Sequence, residues 1–149
     1  MAVYASLQMG LDLAPGKAFS EEVRRRFFST VHPTYDSGHF MMVVAFGQSS
    51  FKLDEDSAAV ALESITGGRC DALEVSALQD RVFSFTVANK KVGFFLYNKR
   101  KFVSPKFICY FYLWNYGGPN WHYEFNLWKS NATWSGLWFV PQNAVHILV

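Results

Sequence analysis

Residues 80–100 of the chain read DRVFSFTVANKKVGFFLYNKR, which joins a strand pattern directly to a helix pattern. Residues 81–88 alternate large side chains with smaller ones, which is typical of a strand with two different faces. Asn89 suits the N-cap of a helix, because the apolar residues after it recur at helical spacing. The stretch therefore predicts a strand followed at once by a helix, and the other elements are assigned outward from this pair.

The strand of this stretch resembles the aromatic motif of RNA-recognition domains, in which exposed rings stack on bases. Arg81, Phe83 and Phe85 match the motif, whereas Val82 stands where the motif has glycine. Exposure of both phenylalanines would leave only small and polar side chains for the core. Burial of the phenylalanines removes more apolar surface from water, at about 25 cal/mol per Å². We therefore predict that Phe83 and Phe85 belong to the core.

Strand and helix patterns continue on both sides of this stretch. From Phe51 to Trp114 the predicted order is strand, helix, strand, strand, helix, strand, which is the ferredoxin-like order. The predicted strands are His39–Phe46, Phe51–Leu53, Leu73–Leu78, Arg81–Ala88 and Lys106–Trp114, and the predicted helices have their N-caps or first residues at Ser20, Asp54 or Asp56, Asn89 and Pro119.

These elements predict an α+β fold, with a ferredoxin-like or RRM-like βαββαβ antiparallel sheet, an extra N-terminal helix and strand, and a C-terminal helix. The length of 149 residues suits one domain. We expect residues 1–17 to form a flexible arm, because Pro15-Gly16 is typical of a break in structure. Residues 18–130 then form the domain, and residues 131–149 form an apolar C-terminal tail.

The composition excludes several classes of protein. Hydrophobic residues make up 50% of the chain and charged residues only 17%, against a usual charged share of about 25%. So few charges favour self-association or a bound partner. The two cysteines and four histidines form no metal-ligand or nucleophile motif, so we predict no enzyme, no cofactor and no metal site. No apolar run is long enough for a transmembrane segment.

Charge is divided unevenly along the chain. Residues 54–80 contain seven acidic residues and one basic residue, whereas residues 81–123 contain seven basic residues and no acidic residue. Such a basic region fits either the phosphates of a nucleic acid or an acidic protein partner. The net charge of only +2 favours the protein partner. The predicted patch consists of Lys90, Lys91, Lys99, Arg100, Lys101 and Lys106.

The strand at 106–114 is aromatic on both faces, so its alternation does not decide which face is buried. The face with the tyrosines keeps polar atoms that suit an exposed surface or an interface. The apolar tail carries further aromatic residues that can pack on the domain or contact a partner. The possible interface residues are Tyr110, Tyr112, Trp114, Trp134, Trp138 and Phe139.

Three blocks carry a family resemblance: SFKLDEDSAAVALESITGG at 50–68, DRVFSFTVANKKVGFFLY at 80–97 and YFYLWNYGGPNW at 110–121. With the N-terminal sequence they resemble the N-terminal module of grass-specific plant proteins, many of which are described as zinc-knuckle proteins of the CCHC type. The knuckle is absent here, because Cys70 and Cys109 are too few and too far apart. The resemblance therefore implies a plant protein without implying RNA binding.

The C-terminus departs from this family, because longer members continue into a polar region where this chain has its apolar tail. The resemblance thus implies a truncated member that acts alone. Such a protein suits a plant regulator, or a toxin or antidote in a killer–protector pair, the kind of selfish genetic element that underlies hybrid pollen sterility.

We predict a non-enzymatic protein–protein interaction module that self-associates, for example as a homodimer. The low cysteine content and the lack of a signal-peptide pattern favour an intracellular location in the cytoplasm or nucleus. A mitochondrial location is a weaker alternative, because the N-terminal stretch is poor in arginine. The alternative function is a single-stranded RNA- or DNA-binding domain.

Overall fold

The computed structural model describes residues 9–114 and 124–126. Its elements are α1 (Ala14–Phe27), β1 (Phe40–Ser49), α2 (Glu55–Thr66), β2 (Ser76–Gln79), β3 (Val82–Val87), α3 (Lys90–Tyr97), β4 (Lys101–Val103) and β5 (Phe107–Leu113). The strands form one five-stranded sheet in the order β2-β3-β1-β5-β4, in which all neighbours are antiparallel. This α+β fold is compatible with a ferredoxin-like arrangement. None of the described helices is long and apolar enough to cross a membrane.

Strand β1 lies at the centre of the sheet, between β3 and β5. The prediction that Phe51–Leu53 is the first strand is wrong, because these residues come after β1 without joining the sheet. The segment His39–Phe46, predicted as an extra strand, supplies most of the central strand instead. The residues of β1 are buried on both faces over most of its length, as expected in a sheet with both faces covered.

Helix α1 begins at Ala14, earlier than the predicted cap at Ser20. The backbone N–H of Ala14 donates to Asp12 Oδ1 at 3.0 Å. Pro15 lies in the first turn of the helix, where its missing N–H costs no hydrogen bond. The prediction of a flexible arm is therefore wrong for residues 14–17, since proline at this position favours a helix start rather than a break.

The caps of the other two helices confirm the sequence predictions. The backbone N–H of Ser57 donates to Asp54 Oδ1 at 2.8 Å, and that of Val92 donates to Asn89 Oδ1 at 3.0 Å. Helix α2 ends at Gly67, whose φ of 76° is left-handed and suits glycine. These caps fix the residues at which α2 and α3 begin and the residue at which α2 ends.

Helices α1 and α2 meet at a contact between their backbones. A Cβ atom at Gly16 would lie 2.6 Å from the carbonyl oxygen of Glu63 and 2.7 Å from that of Ser64. Only glycine permits this approach, which also brings Phe19 and Val23 of α1 onto the core. The contact fixes α1 against α2, and α1 forms one wall of a cavity.

The face of the sheet that packs against the helices is an aromatic core. Phe83 and Phe85 are 4% and 0% exposed, which confirms the prediction that they are core residues rather than a platform for bases. Phe85 packs edge-on against Phe111, with ring centroids 6.3 Å apart. Rings from three adjacent strands thus interlock beneath the helices.

The opposite face of the sheet is buried as well. Tyr110 and Tyr112 are 2% and 1% exposed, so the tyrosine face is not an open surface of this chain. Phe125, in the short helical segment 124–126, packs edge-on against Tyr112 with ring centroids 6.4 Å apart. The fourth helix was predicted from Pro119 onward; residues 124–126 are helical, and the rest of that prediction lies outside the described residues.

Candidate functional site

Three residues of the predicted basic patch line two neighbouring cavities beside β4. Lys99 and Lys101 line the first cavity, and Lys106 lines the second. Lys90 and Lys91 lie in the first turn of α3, at the opposite end of that helix from Lys99. The helix therefore divides the predicted patch between two parts of the surface.

The first cavity has a volume of about 430 Å³ and lies between α1, α3 and the edge strand β4. Phe19 from α1 and Phe95 from α3 stack in its wall, with ring centroids 5.2 Å apart. Its volume and apolar lining fall in the range of sites that hold a small molecule or an anchoring side chain. The apolar wall is formed by Phe19, Ile65, Phe95, Leu96, Phe102 and Phe111.

The rim of the first cavity is positively charged. The Lys99 Nζ lies 4.8 Å and the Arg26 guanidinium carbon 5.2 Å from the centroid of the Phe95 ring, so both cations lie against the aromatic wall. Glu22 is the one carboxylate among the described lining residues, and its two oxygens accept hydrogen bonds from Arg26 and Arg25. These bonds, with that from Arg26 the stronger, lower the pKa of Glu22. The described lining of the first cavity therefore contains three cations, Arg26, Lys99 and Lys101, and one carboxylate.

A second cavity of about 360 Å³ adjoins the first, and the two share Pro15, Ile65 and Phe102 in their walls. Lys106 and Asp12 provide the charged groups of the second cavity, whose lining is otherwise mostly apolar. The two cavities together are called the β4 groove. The apolar floor of the groove thus has cationic side chains beside both the first and the second cavity.

Strand β4 forms one bank of the groove and one edge of the sheet. Ser104 N–H donates to Phe107 O at 3.0 Å, and Phe111 N–H donates to Arg100 O at 2.9 Å. Because backbone groups alternate in direction along an antiparallel strand, Val103 directs its N–H and C=O towards the open edge. Val103 is 54% exposed. This edge is short, since β4 has only three residues.

Arg100 belongs to another cluster, at the C-terminal end of α3. Its guanidinium carbon lies 4.7 Å from the centroid of the Tyr97 ring, and the Tyr97 hydroxyl donates to Glu124 Oε1 at 3.1 Å. Burial raises the pKa of Glu124, while the Tyr97 hydrogen bond and the charge of Arg100 oppose this rise. Arg100 is half-buried and interacts with Tyr97 and Glu124, apart from the groove-lining lysines.

The predicted aromatic interface is only partly within the described residues. Tyr110 and Tyr112 are buried inside the chain, and Trp114 is half-buried. Burial raises the pKa of Tyr112, and the nearby charge of Glu124 acts in the same direction. Trp134, Trp138 and Phe139 lie outside the described residues.

The sequence prediction missed the contribution of α1 to the groove. Arg24, Arg25 and Arg26 were interpreted as a solvated face partly paired with acids, and their ion pairs with Glu21 and Glu22 confirm this. Arg26 lies seven residues after Phe19, which is two turns further along the same face of the helix. Arg26 therefore lies on the groove together with Phe19. Periodicity alone does not reveal which neighbouring element that face meets.

Two aromatic side chains between α1 and β1 were also missed. Phe28 is 90% exposed, and Tyr35 is fully exposed, at 102% of the reference accessible surface of tyrosine. Phe28 has a left-handed backbone with φ of 54°, which is uncommon for a residue other than glycine. Neither ring contributes to the core, so both are available to a partner.

Among the described residues, no group of three or more histidine, cysteine, aspartate or glutamate side chains is placed to hold a metal ion. Comparisons of the chain with protein-family models, with curated proteins and with solved structures find no match. The fold and the candidate site together define an α+β domain with a basic-rimmed apolar groove at one sheet edge.

Proposed function

We propose that this chain is a non-enzymatic protein-interaction module that self-associates. The observation that carries the proposal is the β4 groove, in which an apolar floor is rimmed by cations. Its one carboxylate in the first cavity, Glu22, already accepts hydrogen bonds from two arginines. The groove therefore suits recognition of an apolar, acidic surface better than it suits acid–base chemistry.

The exposed aromatic residues Phe28 and Tyr35 support the same proposal. Aromatic side chains are enriched at protein interfaces, where their large area is removed from water. The left-handed backbone of Phe28 is explained by its place as the C-cap of α1, where its N–H donates to Arg24 O, but its exposed ring gives the free chain no packing. Contact with a partner provides a reason for keeping a large apolar side chain at this position.

We also infer that the fold is ferredoxin-like in detail. The order β1, α2, β2, β3, α3, β5 matches the split βαβ pattern, and the neighbours β2-β3-β1-β5 agree with it. Strand β4 is then an addition at the edge beside β5, and α1 is an addition to the helical layer. Strand β4 and helix α1 lie on opposite sides of the groove. The candidate site is therefore formed largely by the two elements that are added to the ferredoxin-like pattern.

The alternative of single-stranded nucleic-acid binding has less support. Phe83 and Phe85, the residues that would stack on bases, are buried beneath the helices. Lys90 and Lys91 lie at one end of α3, and Lys99 lies near its other end. These lysines therefore do not form one continuous basic stripe. A basic groove nevertheless attracts phosphates, so nucleic acid is included in the test.

The proposal is tested by size-exclusion chromatography with light scattering on the full chain, at low and high salt, with a fluorescent single-stranded RNA present. We expect a dimer that persists at high salt and leaves the RNA free. A monomer that carries the RNA at low salt and releases it at high salt supports the nucleic-acid alternative instead. A monomer that binds nothing contradicts self-association.

The killer–protector role stays a prediction. It is tested by expression in plant cells of the full chain and of a chain without residues 131–149. Growth inhibition by the full chain alone supports a toxin that depends on the tail. Equal growth in all cultures contradicts the toxin, and co-expression with a toxic protein of the same family then tests the antidote.

A further inference from the structure

We propose that the β4 groove binds a peptide segment of a partner in which apolar anchor residues are flanked by aspartate or glutamate. This inference rests on the proposed protein-interaction function and names the chemistry of the partner. Three observations support the inference: the apolar floor of the groove, the positive charge of its rim, and the short edge strands of the sheet.

The floor of the groove supplies two adjoining places for apolar side chains. The first cavity is walled by stacked Phe19 and Phe95, and Phe102 separates it from the second. Cavities of about 430 Å³ and 360 Å³ are each large enough for an aromatic or branched side chain. Two adjoining apolar sites fit a chain-like ligand with two anchors.

The charge of the rim selects the flanks of that ligand. Arg26, Lys99 and Lys101 line the first cavity and Lys106 lines the second, so cations occur at both parts of the groove. A ligand with a single charged head would use only one of these parts. A peptide with carboxylates on both sides of its apolar anchors meets a cation at each end. Asp12 also lines the second cavity, and its Oδ1 accepts a hydrogen bond from the Ala14 N–H, so the peptide carboxylate at that end must approach Lys106 rather than Asp12.

The sheet edges favour docking through side chains rather than through a new strand. β4 has three residues, and its Lys101 N–H donates to Lys99 O at 2.7 Å within the same turn. At the opposite edge the Ala77 N–H donates to Glu55 Oε2 at 2.7 Å. On β4 the Lys101 bond leaves only Val103 with an outward N–H and C=O, and one exposed residue on so short an edge is a poor template for another strand. The groove therefore offers cavities and charge more than it offers a backbone ladder.

Fluorescence anisotropy of labelled peptides with the full chain tests this proposal. The probe is the peptide Asp-Glu-Leu-Phe-Leu-Glu-Asp. One comparison peptide, Lys-Arg-Leu-Phe-Leu-Arg-Lys, keeps the apolar centre and reverses the charge. The other, Asp-Glu-Gly-Ser-Gly-Glu-Asp, keeps the charge and removes the anchors. We expect the probe to bind at least about tenfold more tightly than either comparison peptide.

Matched variants locate the binding. The double variant Lys99→Glu/Lys101→Glu should weaken probe binding by about tenfold or more, because it reverses the rim charge. Lys90→Glu/Lys91→Glu makes the same change of net charge at the other end of α3 and should weaken binding by less than about twofold. Equal weakening by the two double variants contradicts a site in the groove and indicates general attraction by net charge.

A second pair of variants tests the cavity without changing charge. Ala18 is an exposed residue of α1 that lines the first cavity, so Ala18→Trp should fill the cavity and abolish probe binding. Ala77→Trp makes the same change at an exposed residue of β2, on the opposite edge of the sheet, and should leave binding unchanged. Circular dichroism verifies that both variants are folded. Unchanged binding by a folded Ala18→Trp variant overturns the proposal.

The outcomes separate this inference from the proposed function. A dimer in light scattering with no binding of the probe overturns the groove inference and supports only the self-association part of the proposed function. A labelled single-stranded oligouridylate that binds through Lys99 and Lys101, while the probe stays free, overturns both. Binding of the probe that depends on Lys99, Lys101 and Ala18 supports both.

Discussion

The sheet buries both of its faces, and the two faces differ in the polar atoms that they carry. On the helix side, Phe85 packs against Phe111 and Phe46 packs against Phe83, with no side-chain polar atom among these rings. On the other side, Tyr112 and Ser84 bring hydroxyl groups into a buried layer. Burial alone therefore does not distinguish the two faces, and their chemistry does.

The polar face carries a cost that the helix side does not. The Tyr112 hydroxyl and Glu124 Oε2 are buried and find no hydrogen-bond partner among the described residues. A buried polar atom without a partner costs about 1–3 kcal/mol. The comparison teaches that the larger apolar cluster lies on the helix side, whereas the tyrosine side combines apolar burial with polar atoms that reduce its contribution to stability.

The largest expected effect is on the helix side, from Phe85→Ala. Phe85 is fully buried, so the lost contacts and the cavity that remains should lower the free energy of unfolding by about 3–5 kcal/mol. Urea unfolding followed by circular dichroism measures this change. Tyr35→Ala removes a fully exposed ring and should change stability by less than about 0.5 kcal/mol. A loss below about 1 kcal/mol for Phe85→Ala would contradict its place in the main core.

The next largest effect tests whether the close contact between α1 and α2 stabilises the helix layer. Gly16→Ala adds a Cβ atom 2.6 Å from the carbonyl oxygen of Glu63, so the helices must separate. We expect a loss of about 1–3 kcal/mol in urea unfolding. Gly38→Ala is the matched control, because its Cβ atom meets only Ala88 O, at 3.9 Å. Equal stability of the two variants would mean that α1 is not fixed by the glycine contact.

The sequence predicted the elements of the helix side well, because their local signals are strong. Asp54 and Asn89 provide caps that the neighbouring residues use directly. The phenylalanines of β3 were correctly predicted as core residues, because one parity of that strand carries most of its apolar area, although the other parity is buried as well. Local chemistry was decisive at each of these residues.

The first strand and the start of α1 were not predicted correctly. A run such as His39–Phe46, apolar on both faces, indicates burial but not its place in the sheet, which depends on pairing with distant β3 and β5. Pro15 indicated a break although it begins a helix, since its role depends on the residues after it. The first error arises where contacts distant in sequence decide, and the second arises where one residue suits two local structures.

The groove was predicted only in part. Lys99, Lys101 and Lys106 were recognised from their charge, but the same reasoning included Lys90 and Lys91, which lie elsewhere. The apolar floor combines residues from five elements, α1, α2, α3, β4 and β5, which are spread over the sequence. Composition reveals how much charge a chain has, and tertiary structure decides which charges share a site.

A smaller effect, of opposite sign, is expected on the tyrosine side from Tyr112→Phe. The variant removes a buried hydroxyl that lacks a partner among the described residues and keeps the ring that packs on Phe125. We expect a gain of about 1 kcal/mol in the free energy of unfolding by urea. Tyr97→Phe is the matched comparison, because it removes the donor to Glu124 Oε1 and should destabilise. Destabilisation by both variants would mean that the Tyr112 hydroxyl has a partner in solution.

The smallest effect is a dependence on pH that Glu124 gives to the tyrosine side. Burial raises the pKa of Glu124 above its ordinary value of 4.5, and the groups that face it are Tyr97, Arg100 and Tyr112. As pH rises through the unfolded-state pKa, the unfolded chain loses this proton while the folded chain keeps it. Stability therefore falls with rising pH until the folded-state pKa is passed, and it is constant above that value.

Glu124→Gln removes this proton equilibrium and keeps the size of the side chain. We expect the free energy of unfolding of the original chain to fall relative to that of the variant as pH rises from about 4 towards 7. Urea unfolding at a series of pH values measures the difference between the two chains, which cancels the contributions of all other groups. If the original chain instead gains on the variant as pH rises, the Glu124 carboxylate is stabilised in its ionised form. The tyrosine side would then contain a favourable buried charge, supported by Arg100, and the contrast between the two faces would lie in charge rather than in unsatisfied polar atoms.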